Sequence, residues 1–173
     1  MSLPSVGILI KKLTQALKPY FPTDLSPEEQ PIIVGIETGG YWIAKAIHQN
    51  IAPDTDLGCL NISFYRDDFT QSGLHPTVKP SSLPPNIDGK TVILVDDVLY
   101  SGRTIRAAMN EIFDYGRPLR IVLAILIDRG ERAIPIQADI VGETVHLEAG
   151  SHIKLEGPEP LQLTIKSLTD HVS

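Results

Sequence analysis

The run Val92-Ile93-Leu94-Val95-Asp96-Asp97-Val98-Leu99-Tyr100-Ser101-Gly102-Arg103-Thr104 constrains the fold more tightly than any other part of the chain. Four consecutive aliphatic residues read as a strand buried on both faces, the pattern of a parallel sheet. Two carboxylates follow where that strand, Thr91–Val95, is expected to end. Beyond Thr104, Ile105, Ala108, Met109, Ile112 and Phe113 recur at helical spacing. The unit is strand, acidic pair, tight loop, helix. Open α/β sheets bind their ligands at the carboxyl ends of such strands. A loop entering a helix offers N–H groups and a favourable dipole to an anion. Gly102 allows close backbone approach, Ser101 and Thr104 add hydroxyls, and Arg103 adds charge. This is a cradle for one phosphate. Asp96 and Asp97 suit hydroxyls or a cation, so the combination fits a sugar phosphate. A helix cap accounts for one Asp or Ser, not for two adjacent acids followed by Ser-Gly-Arg-Thr.

Length and charge narrow the remaining possibilities. A chain of 173 residues fits a single domain over 1–173 with a sizeable core. A net charge of −6 argues against a broad nucleic-acid-binding face, though not against a local one. Cys59 has no partner for an internal disulfide and reads as a small buried residue in a reducing compartment. No secretory signal pattern and no apolar run of membrane-spanning length is present. A cytoplasmic protein with no membrane partner is the expectation.

The rest of the chain repeats the same plan. Ser5 to Tyr20 reads as an amphipathic helix, with Ile8, Leu9, Leu13, Ala16 and Leu17 as its apolar stripe and Lys11, Lys12 and Lys18 on a solvated face. Ile32–Ile36 is a second apolar strand, followed by Glu37-Thr38-Gly39-Gly40 and a helix over Tyr41–Asn50. Taken alone, that loop suits either a second anion site or an ordinary βα turn. His48 on this helix reads as a surface residue. Leu57–Tyr65 is a third strand, ending in Arg66-Asp67-Asp68. Phe69–Ile87 has no periodicity and holds prolines at 76, 80, 84 and 85. Long structureless stretches inside compact domains are usually functional, so 69–87 is expected to be a flexible active-site loop, with a short β-ribbon as the alternative for part of it. Arg120–Ile127 is another buried strand, closed by Asp128-Arg129-Gly130. Residues 134–142 look extended, and Val145–Leu155 and Leu161–Ile165 carry strand-like alternation. His146 and His152 lack the further ligands that a zinc cage needs.

Residues 92–104 closely resemble the phosphoribosyl-pyrophosphate signature of type I phosphoribosyltransferases. Ser63-Phe64-Tyr65-Arg66-Asp67-Asp68, Gly116-Arg117-Pro118 and Asp128-Arg129-Gly130-Glu131-Arg132 extend the likeness to the pyrimidine operon regulatory proteins over about residues 5–142. The resemblance implies an α/β phosphoribosyltransferase fold: a mostly parallel, doubly wound sheet with a small hood from the termini. It implies uracil phosphoribosyltransferase activity, with phosphoribosyl pyrophosphate, uracil and UMP as ligands and substrate-bound magnesium. No directly bound metal residue is assigned, and a homo-oligomer, dimer or higher, is expected.

By the same resemblance, Ser101, Gly102, Arg103 and Thr104 hold the 5-phosphate, and Val98, Leu99 and Tyr100 complete the binding run. Asp96 and Asp97 hold the ribose hydroxyls. Thr38, Gly39 and Gly40 hold pyrophosphate and its magnesium, and Arg66 closes over the leaving group. Asp96, Asp97 and Arg66 form the catalytic set. Asp128, Arg129, Ile140 and Val141 line the uracil pocket. The family usually has arginine where this chain has Gly39. Thr14, Lys18 and Arg132 are the retained candidates for weak contact with a pyrimidine leader RNA, but Gln137 and Glu143 replace basic residues. Two rival functions share the signature: a uridine-nucleotide-sensing RNA-binding regulator of pyrimidine genes, and a purine phosphoribosyltransferase.

Overall fold

The computed structural model describes residues 3–62 and 80–167. Five strands, β1 (Ile32–Ile36), β2 (Leu57–Leu60), β3 (Thr91–Leu99), β4 (Arg120–Asp128) and β5 (Ile140–Thr144), form one sheet in the order β2-β1-β3-β4-β5. Every pairing in it is parallel. Such a sheet needs cover on both faces, and the side chains alternate accordingly. Ile33, Ile93, Val95, Val122 and Ala124 face one core, with α1 (Val6–Leu17) and α2 (Gly39–Ile51). Ile32, Val34, Val92, Leu94, Leu123 and Ile125 face a second core, with α3 (Arg103–Tyr115).

Connectivity sets this division. From β1 the chain runs through α2 to the edge strand β2; from β3 it runs through α3 to β4, in the opposite direction across the sheet. Parallel crossovers are right-handed almost without exception, so the two helices lie on opposite faces. The carboxyl ends of the neighbours β1 and β3 therefore open onto the crevice where strand order reverses.

Several sequence boundaries shift. β3 runs through both acids to Leu99 instead of stopping at Val95, since Asp96 pairs with Ile125 and Leu99 with Asp128. Helix α3 starts at Arg103, and α2 starts at Gly39 and absorbs the glycines assigned to a loop. In α1, capped by Ser5, the buried stripe is Val6, Leu9, Leu13 and Leu17, while Ile8 and Ala16 face outward. Phe113 of α3 also faces outward. His48 is half-buried, its ring 2.8 Å from the Thr55 carbonyl, and Cys59 is half-buried on the edge strand. β2 ends at Leu60, and Cys59 bridges Ser82 in antiparallel fashion. Residues 63–65 of the strand expected through Tyr65, Arg66, and most of the 69–87 loop lie outside the described residues.

β6 (Ser151–Glu156) and β7 (Gln162–Ser167) form an antiparallel ribbon separate from the main sheet. Ile153, Leu155 and Leu163 anchor it to the α1/α2 core. The hood is thus C-terminal. The N-terminal helix covers a sheet face instead, because its buried stripe packs with α2, β4 and β5. Among the described residues, no helix is long and apolar enough to cross a membrane.

Candidate active site

At the crevice, β1 and β3 bring the two sequence-predicted loops together. Asp96 is 2% exposed and Asp97 half-buried. Each is held by a local bond: the Asp97 N–H donates to Asp96 Oδ1 and the Val98 N–H to Asp97 Oδ1, both at 2.9 Å. The start of α2 lies directly on this pair. A Cβ at Gly40 would stand 2.7 Å from the Val95 carbonyl oxygen and 2.8 Å from Asp96 Cα. A Cβ at Gly39 would meet the Asp97 carboxylate, 2.7 Å from its Cγ. The two glycines are what let a helix N-terminus approach two carboxylates, and Thr38 holds the N-cap position without a side-chain capping bond. Gly39 is not in the left-handed region; an arginine there is opposed by Asp97, not by the backbone.

Beyond β3, Tyr100, Ser101 and Gly102 make the turn into α3. Gly102 has φ 89°, which a residue with a Cβ adopts only with strain. The Arg103 N–H donates to Ser101 Oγ at 3.3 Å, and the helical ladder begins with the Arg106 N–H bonding to the Gly102 carbonyl. The first N–H groups of α3 thus point at the loop, as an anion cradle requires.

These elements enclose a cleft of about 570 Å³, lined by Asp96 to Gly102, Thr104, Ile105, Arg129 and, from the hood, His152, Ile153 and Lys154. The hood residues were not assigned to the site by sequence. Their only signal was alternation, which places His152 and Lys154 on one face of a strand without saying what that face meets.

Other assigned residues lie outside the lining of this cleft or are bonded within the fold. Ile140 and Val141 begin the edge strand β5, beside Ala124 and Ile125, and do not line this cleft. Asp128 ends β4 but turns away: it accepts from Arg132 Nη2 at 2.6 Å and from the Gly130 N–H at 2.9 Å. Burial pushes the Asp128 carboxyl up, but the Arg132 and Gly130 hydrogen bonds and the charges of Arg132 and His146 outweigh it, and the group lies below its usual range. Arg132 also donates to the Ile136, Tyr100 and Gly130 carbonyls. It staples the post-β4 loop to the phosphate turn. Thr14 is buried, its hydroxyl bonded to the Ile10 carbonyl. Lys12 is tied to the Gly142 carbonyl at 2.5 Å, while Lys18 is exposed in the 3-10 turn after α1.

Comparison with known proteins identifies the family. The sequence matches the phosphoribosyl transferase domain family over residues 6–156. Bifunctional protein PyrR of Pseudomonas aeruginosa is 49% identical over 169 residues, 98% of each chain. This chain belongs to that family of phosphoribosyl transferases. Bifunctional protein PyrR of Pseudomonas fluorescens is 48% identical, covering 97% of this chain and 99% of its own. The fold is shared more widely. A hypoxanthine-guanine phosphoribosyltransferase of Bacillus anthracis superposes with a TM-score of 0.64 at 23% identity, over 84% of this chain and 83% of that one. A purine phosphoribosyltransferase of Pyrococcus horikoshii gives 0.59 at 22% identity, over 81% and 82%.

No group of three or more His, Cys, Asp or Glu among the described residues could cage a metal ion. What the cleft offers is a pair of hard carboxylate oxygens. That suits magnesium held partly by substrate phosphates, the ion's usual habit.

Proposed function

We propose that this phosphoribosyl transferase joins uracil to phosphoribosyl pyrophosphate, releasing UMP and pyrophosphate. One observation carries the reading: a phosphate turn and a helix N-terminus flank an acidic pair at the switch point of the sheet. In this arrangement Ser101–Thr104 and the start of α3 take the 5-phosphate, Asp96 and Asp97 take the ribose hydroxyls, and Thr38–Gly40 at the start of α2 take the diphosphate. Magnesium bound with the donor would neutralise charge on the leaving diphosphate. The bond from C1 of the ribose to the diphosphate oxygen breaks, the bond from C1 to the uracil nitrogen forms, and that nitrogen loses its proton. Positioning and charge stabilisation are the protein's main contributions, and no side-chain nucleophile is needed. Arg66 is proposed to act on the leaving group. Incubating the protein with donor, magnesium and a panel of uracil, cytosine, hypoxanthine and guanine tests this; uracil should be consumed first, and preference for hypoxanthine would replace this reading with the purine one.

The second function in a protein of this similarity is nucleotide-dependent RNA binding, as a regulator of pyrimidine genes. The name of the relatives, Bifunctional protein PyrR, favours keeping it. Two of the three candidate RNA residues, Thr14 and Arg132, are committed internally, and Glu143 sits on β5. Weak RNA affinity, or recognition of a different RNA, is therefore proposed. A uridine-nucleotide-dependent complex with a pyrimidine leader at about 10⁻⁸ M or tighter at physiological salt would refute weak binding.

A further inference from the structure

We propose that Lys154, on the C-terminal ribbon, is a further catalytic residue whose ammonium holds the departing diphosphate; the inference rests on the phosphoribosyl transfer reading above. In that reading the start of α2 takes the diphosphate. Its first turn, Gly39-Gly40-Tyr41-Trp42, carries no basic side chain. The charges that β3 brings to this turn are the carboxylates of Asp96 and Asp97, and the Gly39 position lies against Asp97. A leaving group with several negative charges calls for a fixed cation in addition to helix N–H groups.

The ribbon brings one. Alternation along β6 buries Ile153 and Leu155 and turns His152 and Lys154 to the other face. Both line the cleft together with Asp96 and Asp97. Among the described residues that line it, the other cation is Arg129, which follows β4 and packs over the Tyr100 ring at 4.0 Å from its centroid. Lys154 makes no ion pair among the described residues, and Glu156, on the same face of β6, is taken by Lys166 at 3.0 Å. The end of β6 decides which side of the cleft the ribbon serves. Gly157 follows the strand, and a Cβ there would stand 3.1 Å from Cε3 and Cζ3 of Trp42. Trp42 belongs to the first turn of α2. The ribbon is therefore seated on the turn proposed to take the diphosphate, whereas β4 and Arg129 lie on the other side of β3. As the bond from C1 to the diphosphate oxygen breaks, the electron pair stays on that oxygen, and an ammonium from the ribbon offsets the charge without a proton transfer.

Titration calorimetry of the full chain with magnesium diphosphate, and separately with UMP, tests the assignment. Lys154→Met should weaken diphosphate binding by about tenfold, equivalent to about 1.4 kcal/mol, and leave UMP affinity within about twofold. Lys154→Gln should do the same; the side chain is exposed, so both variants should fold. Lys154→Arg, which keeps the charge, should retain most of the affinity. Lys166→Met, on the paired strand and outside the cleft lining, should change neither ligand. The inference is overturned if Lys154→Met leaves diphosphate affinity unchanged, or if it weakens UMP equally, which would place the ammonium on the nucleotide. It is also overturned if Lys154→Arg loses as much as Lys154→Met, or if Lys166→Met does, which would make the effect one of overall charge. A wild type that binds UMP but not magnesium diphosphate overturns it too, with the proposed nucleotide site intact. Binding of neither ligand would remove the transferase reading itself.

Discussion

Two adjacent glycines should respond to the same substitution in opposite ways. In Gly40→Ala the new Cβ meets main-chain atoms of β3, the Val95 oxygen at 2.7 Å and Asp96 Cα at 2.8 Å. Carbon atoms rest at about 3.5–4.0 Å, and β3 is bonded to strands on both sides, so it cannot yield. Overpacking of this kind costs about 1–3 kcal/mol, offset in part by the roughly 0.5–1 kcal/mol gained when alanine replaces a helical glycine. A net loss of about 1 kcal/mol lowers Tm by roughly 2–4 °C in a chain of this size. In Gly39→Ala the nearest atoms to the Cβ belong to the Asp97 side chain, with Cγ at 2.7 Å and Cβ at 3.2 Å, and its carboxylate can turn. Forcing it off its rotamer costs about 0.5–1.5 kcal/mol, which the helical gain nearly cancels, so Tm should stay within about 2 °C. A catalytic group displaced by an ångström costs on the order of 100-fold in rate, so kcat/KM should fall by about that factor. Gly39→Arg displaces Asp97 in the same way but adds a cation beside the diphosphate, and should recover part of the loss. Scanning calorimetry and a uracil transferase assay on the three variants decide the matter. Full activity in Gly39→Ala, or an unchanged Tm in Gly40→Ala, would refute the argument that these glycines seat α2 on the acidic pair.

Asp97→Asn should cut kcat/KM by about 100-fold or more with a small change in Tm, because asparagine keeps the oxygen that accepts the Val98 N–H; near-wild-type turnover would sink the ribose assignment. Arg132→Ala removes one charged and three backbone hydrogen bonds at a partly exposed site. It should destabilise by about 3 kcal/mol, seen as a Tm loss of roughly 6–12 °C, and Arg132→Lys should not restore it, since an ammonium cannot reproduce the planar fork. The Asp128 carboxyl titrates lower in the folded than in the unfolded protein, so its contribution is fully present above its unfolded pKa of about 3.9. That contribution is lost as pH falls below that value through the folded pKa. Urea unfolding between pH 5 and about pH 3 should show a shallower acid limb in Asp128→Asn, and parallel limbs would contradict it.

The phosphate turn, the acidic pair and the parallel sheet were legible in the sequence because each is local. Buried aliphatic runs announce parallel strands, and Ser101-Gly102-Arg103-Thr104 sets its own turn and helix start through a positive-φ glycine. Gly39 and Gly40, expected in a loop, instead open α2, with Thr38 at its N-cap position. Non-local assignments rest on a different footing. Ile140 and Val141 were given to the base pocket, and Thr14 and Arg132 to RNA, on a one-dimensional likeness. Sequence cannot report that an arginine spends its donors on Ile136, Tyr100, Gly130 and Asp128. Nor does any local pattern say that a C-terminal ribbon carries His152 and Lys154 to a crevice built some fifty residues earlier. The sequence by itself determined the strand–acid–turn–helix unit, since backbone conformation and hydrophobic period are local properties. Tertiary structure alone decided the switch point between β1 and β3, the seating of two glycines on two carboxylates, and the packing of the Arg129 guanidinium over the Tyr100 ring, because each depends on which chain segments pack across the sheet.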